Sequence, residues 1–204
     1  MSKKPIIVFE GIEGSGKSFH LKNVSNYLRK INKKFITIRE PGGNKNSEKI
    51  RKLILDNKSN FNNNTDLLLY MSARSENIDL IKENIGKKII LIDRFVDSTF
   101  AYQHYAMGVN IEFIKMINKF LLKDIKVTFT FLNTVNLKNM RLRLLKRKKL
   151  NRYDNFDEDF YKRAQNGFIK ILNKHPKKYM RIDSNSDIKV NKKIILNKID
   201  KLIG

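Results

Sequence analysis

The sequence predicts an α/β fold in which a five-stranded parallel sheet is flanked by helices. Short apolar runs with the length of buried strands alternate along the chain with longer segments whose apolar residues recur at helical spacing. The 204 residues, 41% of them hydrophobic, can build one sizeable core but hardly two. We therefore expect a single domain over 1–204, with ligands bound beyond the carboxyl ends of the strands.

Each predicted strand is a short run of aliphatic, β-branched or aromatic residues bounded by polar ones. The first, Ile6-Ile7-Val8-Phe9, is fully apolar and stops at Glu10-Gly11, which is typical of a strand buried on both faces. In chain order the strands are predicted over 6–9, 35–38, 88–92, 127–132 and 179–182.

The predicted helices show apolar residues three or four positions apart, as at Leu21, Val24 and Leu28. In chain order they are predicted over 17–30, 47–56, 65–85, 110–122, 135–150, 157–172 and 190–203. Only three prolines and nine glycines interrupt the chain, so each of these residues is informative about a turn.

The net charge of +23, from 43 basic and 20 acidic residues, has two interpretations. It fits a polyanionic partner, either a nucleic acid or a phosphorylated small molecule. It also fits an AT-rich coding sequence, because Asn, Lys and Ile are all abundant. The charge alone does not decide the function.

Several classes of protein are excluded by composition. With no cysteine, disulfides, thiolate metal sites and a cysteine nucleophile are ruled out. The histidines, His20, His104 and His175, are too far apart in the sequence to suggest a His-rich metal site. No run of 18 apolar residues occurs, and the N-terminal apolar run is too short for a signal peptide, so we expect no membrane association and a cytoplasmic location.

A complete phosphate-binding motif, G-x-x-x-x-G-K-[ST], follows the first strand. It reads Gly11-Ile12-Glu13-Gly14-Ser15-Gly16-Lys17-Ser18. The glycines let backbone N–H groups surround phosphates, Lys17 reaches the β- and γ-phosphates, and the Ser18 hydroxyl can ligate Mg²⁺. A plain glycine-rich turn would need neither Lys17 nor Ser18. The motif predicts a P-loop that binds ATP with Mg²⁺.

The third strand ends at Asp93-Arg94. A carboxylate at the end of a buried strand is the expected second Mg²⁺ or water ligand of a P-loop protein, although Asp93 could instead cap a helix. Arg94 is expected to meet a phosphate, because a buried guanidinium needs an anionic partner. An acceptor that is itself a phosphate needs no catalytic base.

Further motifs lie after the second strand, inside a helix and after the third strand. They read Arg39-Glu40-Pro41-Gly42-Gly43, Leu69-Tyr70-Met71-Ser72-Ala73-Arg74, and Asp93-Arg94-Phe95 followed by Ser98-Thr99 and Ala101-Tyr102-Gln103. Together with the P-loop, this set resembles the thymidylate kinase family from Ile6 to about Phe168. The resemblance implies a three-layer P-loop NTPase fold with a helical lid. It also implies ATP-dependent conversion of dTMP to dTDP, and a homodimer.

The resemblance assigns one group of residues to the phosphate and sugar of dTMP. Glu13 matches an acid near the sugar 3′-hydroxyl and the metal, and Arg39 and Pro41 border the acceptor site, often with a cis bond before the proline. Arg51 and Arg94 match arginines at the acceptor phosphate.

A second group is assigned to the base. Tyr70 would stack on thymine and Arg74 would donate to its O4, whereas the amino group of cytosine would be rejected there. The remaining matches are Ser98 and Thr99 at the pyrimidine edge, Tyr102 against C2′, and Gln103 beside the base. Taken singly, Tyr70 and Tyr102 resemble core aromatics and Arg74 a surface ion pair.

The densest basic run, 140–152, is interpreted as a lid over about 140–156, although a solvated helix end or a nucleic-acid-binding segment would look similar. Lid arginines can neutralise charge on the transferring phosphoryl group. The P-loop has no arginine, and the resemblance then assigns the catalytic cation to the lid. Arg143 and Arg147 match best; Lys148 and Lys149 are weaker candidates.

The chain departs from the family pattern at four positions. Phe95 replaces Tyr or His, Asn133 replaces an Asp after the fourth strand, Asn151 replaces the Asp of the lid, and Asp154 replaces a Glu. None of these changes removes a phosphate-binding or base-reading group. They put the rate in question more than the reaction.

Two other functions stay open at this point. The acceptor could be dUMP or a nucleoside, and a nucleoside would call for a carboxylate base such as Glu13 or Glu40. Alternatively, a nucleic-acid-binding P-loop protein would use 140–152 as its footprint, and its binding would weaken steeply with salt.

Overall fold

The computed structural model describes residues 4–204, and its architecture confirms the predicted α/β fold with a five-stranded parallel sheet. The strand order is β2-β3-β1-β4-β5. The strands are β1 Ile6–Glu10, β2 Phe35–Arg39, β3 Ile89–Asp93, β4 Phe129–Thr134 and β5 Tyr179–Asp183. The chain runs from β1 to β2 and β3 on one side and then crosses to β4 and β5 on the other. This switch point opens a crevice at the carboxyl end of β1.

The helices are α1 Lys17–Lys30, α2 Lys45–Leu55, α3 Asn63–Asn84, α4 Val96–Thr99, α5 Ile111–Leu122, α6 Leu137–Leu145, α7 Glu158–Lys174 and α8 Ile188–Ile203. The last turn of α4 continues as a π-helix over Phe100–Ala106, and 3₁₀ turns cover Arg152–Asn155 and Pro176–Lys178. No helix of residues 4–204 has both the length and the apolar character needed to cross a bilayer.

Apolar side chains of β1 alternate between two core clusters, one on each face of the sheet. Ile7 and Phe9 pack with residues of α1 and α8 on one face. Ile6 and Val8 pack on the other face with residues of α3 and with Leu122 at the end of α5. The aromatic ring of Phe9 stacks on Phe131 of β4 at a centroid distance of 5.2 Å. Burial on both faces explains why these strands read as continuous apolar runs.

The segment between β3 and α5 is helical, although the sequence predicts no regular element there. In the π-helical part, bonding from residue i to i+5 displaces side chains from α-helical spacing, so periodicity does not reveal it. This segment packs closely on α7. A Cβ at Gly167 would lie 2.6 Å from the Tyr105 ring, so glycine is what permits the contact.

The basic helix is shorter than predicted. The sequence predicts helix over 135–150, but α6 ends at Leu145. Leu144 is the last residue of α6 that reaches the core. Beyond it, 146–149 offers four consecutive cations and no apolar side chain to bury, so tertiary packing no longer supports the helix.

Candidate active site

The P-loop connects β1 to α1 in a backbone conformation that depends on glycine. Gly11, Gly14 and Gly16 have φ angles of 137°, 66° and 83°. The Lys17 ammonium folds back over the loop and donates to the Ile12 carbonyl at 2.9 Å. Burial, with a further contribution from Arg94, lowers the pKa of Lys17 to about 8. The loop thus presents backbone N–H groups and a cation at the start of a helix, the arrangement expected for phosphates.

The side chains of Ser18 and Asp93 meet beside the P-loop. The Ser18 hydroxyl donates to Asp93 Oδ2 at 2.6 Å, because β1 and β3 are neighbours and end at the same edge. A hydroxyl and a carboxylate supply the hard oxygen ligands that Mg²⁺ prefers, and Mg²⁺ commonly keeps waters and phosphate oxygens in its other positions. These residues therefore fit a nucleotide-bound Mg²⁺.

Arg94 is the centre of a charged cluster between the P-loop and the adjoining cavity. Its φ of 66° is unusual for a side-chain-bearing residue, and its backbone N–H donates to the Phe9 carbonyl at 3.0 Å. The guanidinium donates to Glu13 Oε1 at 2.6 Å, to the Gly11 carbonyl at 2.9 Å and to the Tyr102 hydroxyl at 3.1 Å. The Tyr102 hydroxyl in turn donates to Glu13 Oε2 at 2.6 Å.

The cluster is held in its charged form. Burial acts to raise the pKa of Glu13, but Arg94 and Lys17 outweigh it, so the pKa lies below its ordinary value. Burial likewise acts to lower the pKa of Arg94, but the Glu13 carboxylate outweighs it, so that pKa lies above its ordinary value. A fixed guanidinium with donors near open space is suited to a phosphate.

The cavity next to this cluster has a volume of about 190 Å³. It brings together most of the residues predicted from sequence. Its predicted lining residues are Glu13, Lys17, Ser18, Arg39, Pro41, Arg51, Tyr70, Asp93, Arg94, Ser98, Tyr102, Gln103 and Arg147. Four other lining residues, Glu40, Leu55, Asn151 and Tyr153, were not assigned to the dTMP site from sequence, although Glu40 was considered as a base for a nucleoside acceptor.

The wall around the cis Glu40–Pro41 bond carries two arginines. Arg51 donates to the Pro41 carbonyl at 2.7 Å, and burial together with the neighbouring Arg39 lowers the pKa of Arg51. Arg39 is exposed and makes a bidentate pair with Glu48 at 2.9 Å. This wall is positively charged, as an acceptor phosphate requires.

Arg74 and Thr99, both predicted to contact the base, do not line the cavity. The Arg74 side chain is only 2% exposed, and its donors engage Glu40 at 2.8 Å, Asn118 at 2.7 Å, and the Phe95 carbonyl and Thr99 hydroxyl at 3.0 Å each. Direct donation from Arg74 to a base would require exchange of one of these bonds. In this structure Arg74 joins α3, α5 and the segment after β3 beneath the cavity.

Two of the departures from the family pattern compensate each other in the lid. Asn151 caps the 3₁₀ turn and donates through Nδ2 to Asp154 Oδ2 at 2.5 Å, which an aspartate could not do. Asp154 Oδ1 accepts from Arg147 Nη1, also at 2.5 Å. Arg147 therefore reaches the cavity from a structured loop.

The other predicted lid arginine lies elsewhere. Arg143 donates to the Gly14 carbonyl at 2.8 Å and to the Ser184 carbonyl at 2.6 Å, and it is not part of the cavity wall. It therefore connects α6 to the P-loop on the nucleotide side. The two candidates for the catalytic cation thus approach the P-loop from different directions.

The remaining departures lie in the core. Phe95 is 1% exposed, and the Arg74 Cζ lies over its ring, 5.2 Å from the ring centroid. The hydroxyl or imidazole of a Tyr or His at this position would therefore be buried. The Asn133 side chain is fully buried, and neither its oxygen nor its nitrogen has a hydrogen-bond partner among the described residues. We find no physical reason for an asparagine there.

Glu10, the last residue of β1, positions the turn that follows β3. The only sign of this role in the sequence is an acidic residue at the end of an apolar strand. It is fully buried and accepts hydrogen bonds from the Phe95 N–H at 2.8 Å and from the Ser98 hydroxyl at 2.6 Å. Burial, with a contribution from Asp97, raises its pKa to about 7. Glu10 fixes the turn that follows Arg94, and so fixes the cluster.

A larger cavity of about 470 Å³ lies on the other side of Phe95, between the π-helix, α5, α7 and β5. Its walls are mainly apolar, and no P-loop residue lines it. P-loop residues and arginines line the charged cavity and not this one.

A loop for nucleotide phosphates, a cation-lined acceptor cavity beside it and a basic lid between them define a P-loop nucleoside monophosphate kinase. The sequence model of the family described as thymidylate kinase matches residues 9–195. The chain belongs to the thymidylate kinase family, whose members phosphorylate dTMP to dTDP at the expense of ATP.

Individual relatives agree with this assignment. A thymidylate kinase of Mycoplasma mobile is 35% identical over 205 residues, which cover 97% of this chain and 98% of the relative. One of a Thermoanaerobacter species is 36% identical over 199 residues, covering 95% and 96%. The crystal structure of the Ehrlichia chaffeensis thymidylate kinase superposes with a TM-score of 0.79 at 29% identity, covering 97% of this chain and 98% of that one.

Proposed function

We propose that this protein transfers the γ-phosphoryl group of ATP to dTMP, giving dTDP for the synthesis of dTTP and the supply of DNA replication. The observation that carries the proposal is the Arg94–Glu13–Tyr102 cluster, which places a fixed guanidinium between the P-loop and the acceptor cavity. Donor and acceptor phosphates would meet at this guanidinium.

ATP is assigned to Gly11–Ser18. The P-loop N–H groups and Lys17 would bind its β- and γ-phosphates, and Ser18 and Asp93 would hold Mg²⁺. When bound, Mg²⁺ neutralises phosphate charge and orients the γ-phosphoryl group. The Lys17 ammonium contributes a second, fixed cation.

The acceptor phosphate is assigned to Arg94, with Arg39 and Arg51 completing a cationic wall. An oxygen of this phosphate attacks the γ-phosphorus in line, so the P–O bond to ADP breaks as the new one forms. The attacking oxygen is already anionic and needs no base. Glu13 fits this scheme, because its two oxygens accept from Arg94 and Tyr102 and so orient the cluster.

The nucleoside of dTMP is assigned to the far end of the cavity. Tyr70 offers an aromatic face, and Ser98 and Gln103 offer polar groups. The Tyr102 ring also lines the cavity, and we propose that it disfavours a 2′-hydroxyl. The direct contact predicted between Arg74 and thymine O4 is not part of the proposal. A role for Arg74 in fixing the cavity floor agrees better with its buried hydrogen bonds.

Arg147 is proposed to supply lid charge to the transferring phosphoryl group. Replacing Arg147 with alanine is expected to lower kcat by about 10³-fold, the lower end of values for such arginines, while the dTMP affinity changes little. Steady-state kinetics and dTMP titration would measure both. Arg141→Ala is the matched control, since Arg141 lies on the same lid but makes only an exposed ion pair with Glu158. Unchanged kcat in Arg147→Ala would reject this assignment and point to Arg143.

The proposed reaction is tested by coupled ADP release with ATP and Mg²⁺ against dTMP, dUMP, dCMP, AMP and thymidine. We expect strong turnover of dTMP, weaker turnover of dUMP and none of dCMP. Turnover of thymidine alone would overturn the acceptor site, because it would require a carboxylate base. Binding to nucleic acid that weakens steeply between about 50 and 200 mM salt, without turnover, would favour the nucleic-acid alternative.

We further propose that the protein is a homodimer. Large apolar side chains are exposed on α2, α3 and α5, three helices that pack side by side: Leu53, Leu68, Met116 and Phe120. Phe120 is 74% exposed, which is unusual for an unpaired surface. Light scattering would measure the mass of the particle in solution for the unaltered protein and for Phe120→Lys.

The cytoplasmic location stays a prediction.

A further inference from the structure

Gln103 lines the cavity through a carboxamide whose orientation is set by a residue outside it. Its Nε2 donates to Asp66 Oδ2 and to the Tyr153 hydroxyl, each at 3.0 Å. Asp66 lies in the first turn of α3, is 1% exposed and does not line the cavity. Both hydrogens of the Gln103 amino group are therefore engaged.

A carboxylate can only accept hydrogen bonds, so Asp66 admits Gln103 in one orientation, with the amino group toward Asp66. The Tyr153 hydroxyl reinforces this orientation, because it donates its own hydrogen to Asp66 and offers a lone pair to Gln103. Burial, with a contribution from Tyr70, raises the pKa of Tyr153 well above its ordinary value, so the hydroxyl keeps its proton. Among residues 4–204 no group donates to Gln103 Oε1, which is left as an acceptor.

We infer that Asp66 is a positioning residue for base discrimination: it fixes Gln103 as an acceptor toward the base and so favours a pyrimidine with a donor at N3. Thymine and uracil carry N3–H, whereas N3 of cytosine is itself an acceptor and would face Oε1 unpaired. The inference rests on the proposed dTMP kinase function. It gives the cavity a means of discriminating against cytosine although Arg74 is not on its wall.

The same carboxylate also binds the lid. Arg152 makes an ion pair with Asp66 and donates to the Ile54 carbonyl, and Tyr153 follows it directly. Tyr70 and Tyr102 each pack edge-to-face with Tyr153, with ring centroids 5.8 Å apart in each pair. Base reading and lid docking thus depend on one buried group, and a change at Asp66 should alter both.

The test is Asp66→Asn. An asparagine can donate as well as accept, so Gln103 is freed to present either face to the base. We expect the ratio of dCMP to dTMP dissociation constants, measured by calorimetry, to fall by at least about tenfold. Tyr153→Phe, which removes only a hydroxyl, should lower the same ratio by about two- to fivefold. This variant replaces Asp66→Asn as the test if Asp66→Asn does not fold. Tyr161→Phe, which removes a hydroxyl that bonds the Tyr153 carbonyl, is the matched control and should leave the ratio unchanged.

A merely structural role for Asp66 would weaken both nucleotides equally and leave the ratio unchanged, which would overturn the inference. An unchanged ratio in Tyr153→Phe would do the same if Asp66→Asn does not fold. Turnover of dTMP by the unaltered protein, measured alongside, separates this failure from that of the proposed function. If the unaltered protein neither binds nor phosphorylates dTMP, the proposed function fails and the inference fails with it.

Discussion

Replacing Arg94 with methionine is expected to abolish measurable phosphoryl transfer and to lower the free energy of unfolding by about 3–5 kcal/mol. The two effects have different causes. Activity is lost because the guanidinium that would hold the acceptor phosphate is gone. Stability is lost because Glu13, only 8% exposed, keeps a buried carboxylate whose main cationic partner has been removed. Denaturant unfolding and the ADP-release assay measure the two effects separately.

The double variant Arg94→Met with Glu13→Gln separates them further. Neutralising Glu13 removes the uncompensated charge, so much of the stability should return while the activity does not. Arg141→Met, on the exposed surface, should leave both quantities near those of the unaltered protein. If Arg94→Met retained full stability, the charge of Glu13 would have to be balanced by Lys17 alone, and our account of the cluster would be wrong.

Replacing Gly11 with alanine is expected to destabilise the protein by more than about 3 kcal/mol or to prevent folding. A Cβ at this position would lie 2.1 Å from the Asn133 carbonyl oxygen, which belongs to β4 and cannot move away. The φ of 137° adds a conformation that residues with a side chain rarely adopt. Thermal unfolding, with and without ATP, measures the loss and shows whether nucleotide still binds.

Gly86 provides the control for this change. It also has a positive φ, 77°, but a Cβ there would meet nothing within 4 Å. Gly86→Ala should therefore cost only about 1–2 kcal/mol, the penalty for the left-handed conformation. Equal losses at the two positions would mean that backbone conformation, rather than the approach of β4, explains the glycine at Gly11.

The central strands β1 and β3 could be predicted from sequence because they are buried on both faces. Such strands appear as uninterrupted apolar runs, and the P-loop motif fixes the polarity of the first of them. The charged cavity could also be predicted in large part, because its residues follow β1, β2 and β3, whose carboxyl ends meet at one edge. Arg51, Tyr70 and Arg147 lie on other segments, and it was the resemblance to the family that assigned them to the site.

What the sequence did not reveal depends on contacts between distant residues. The length of α6 depends on which of its residues reach the core, and the basic composition of 140–152 does not show that. The burial of Arg74 depends on Glu40, Asn118 and Phe95, which come from three other segments. The helical segment after Asp93 is π-helical in part, and α-helical periodicity does not detect it.

The pairing of Asn151 with Asp154 has a consequence for how this lid can diversify. A carboxylate at position 151 would face the buried Asp154 with no amide hydrogen to share, so two negative charges would compete for Arg147. The amide at position 151 and the acid at position 154 are therefore matched to each other in this lid, and changing Asn151 alone to aspartate should loosen the hold of Asp154 on Arg147.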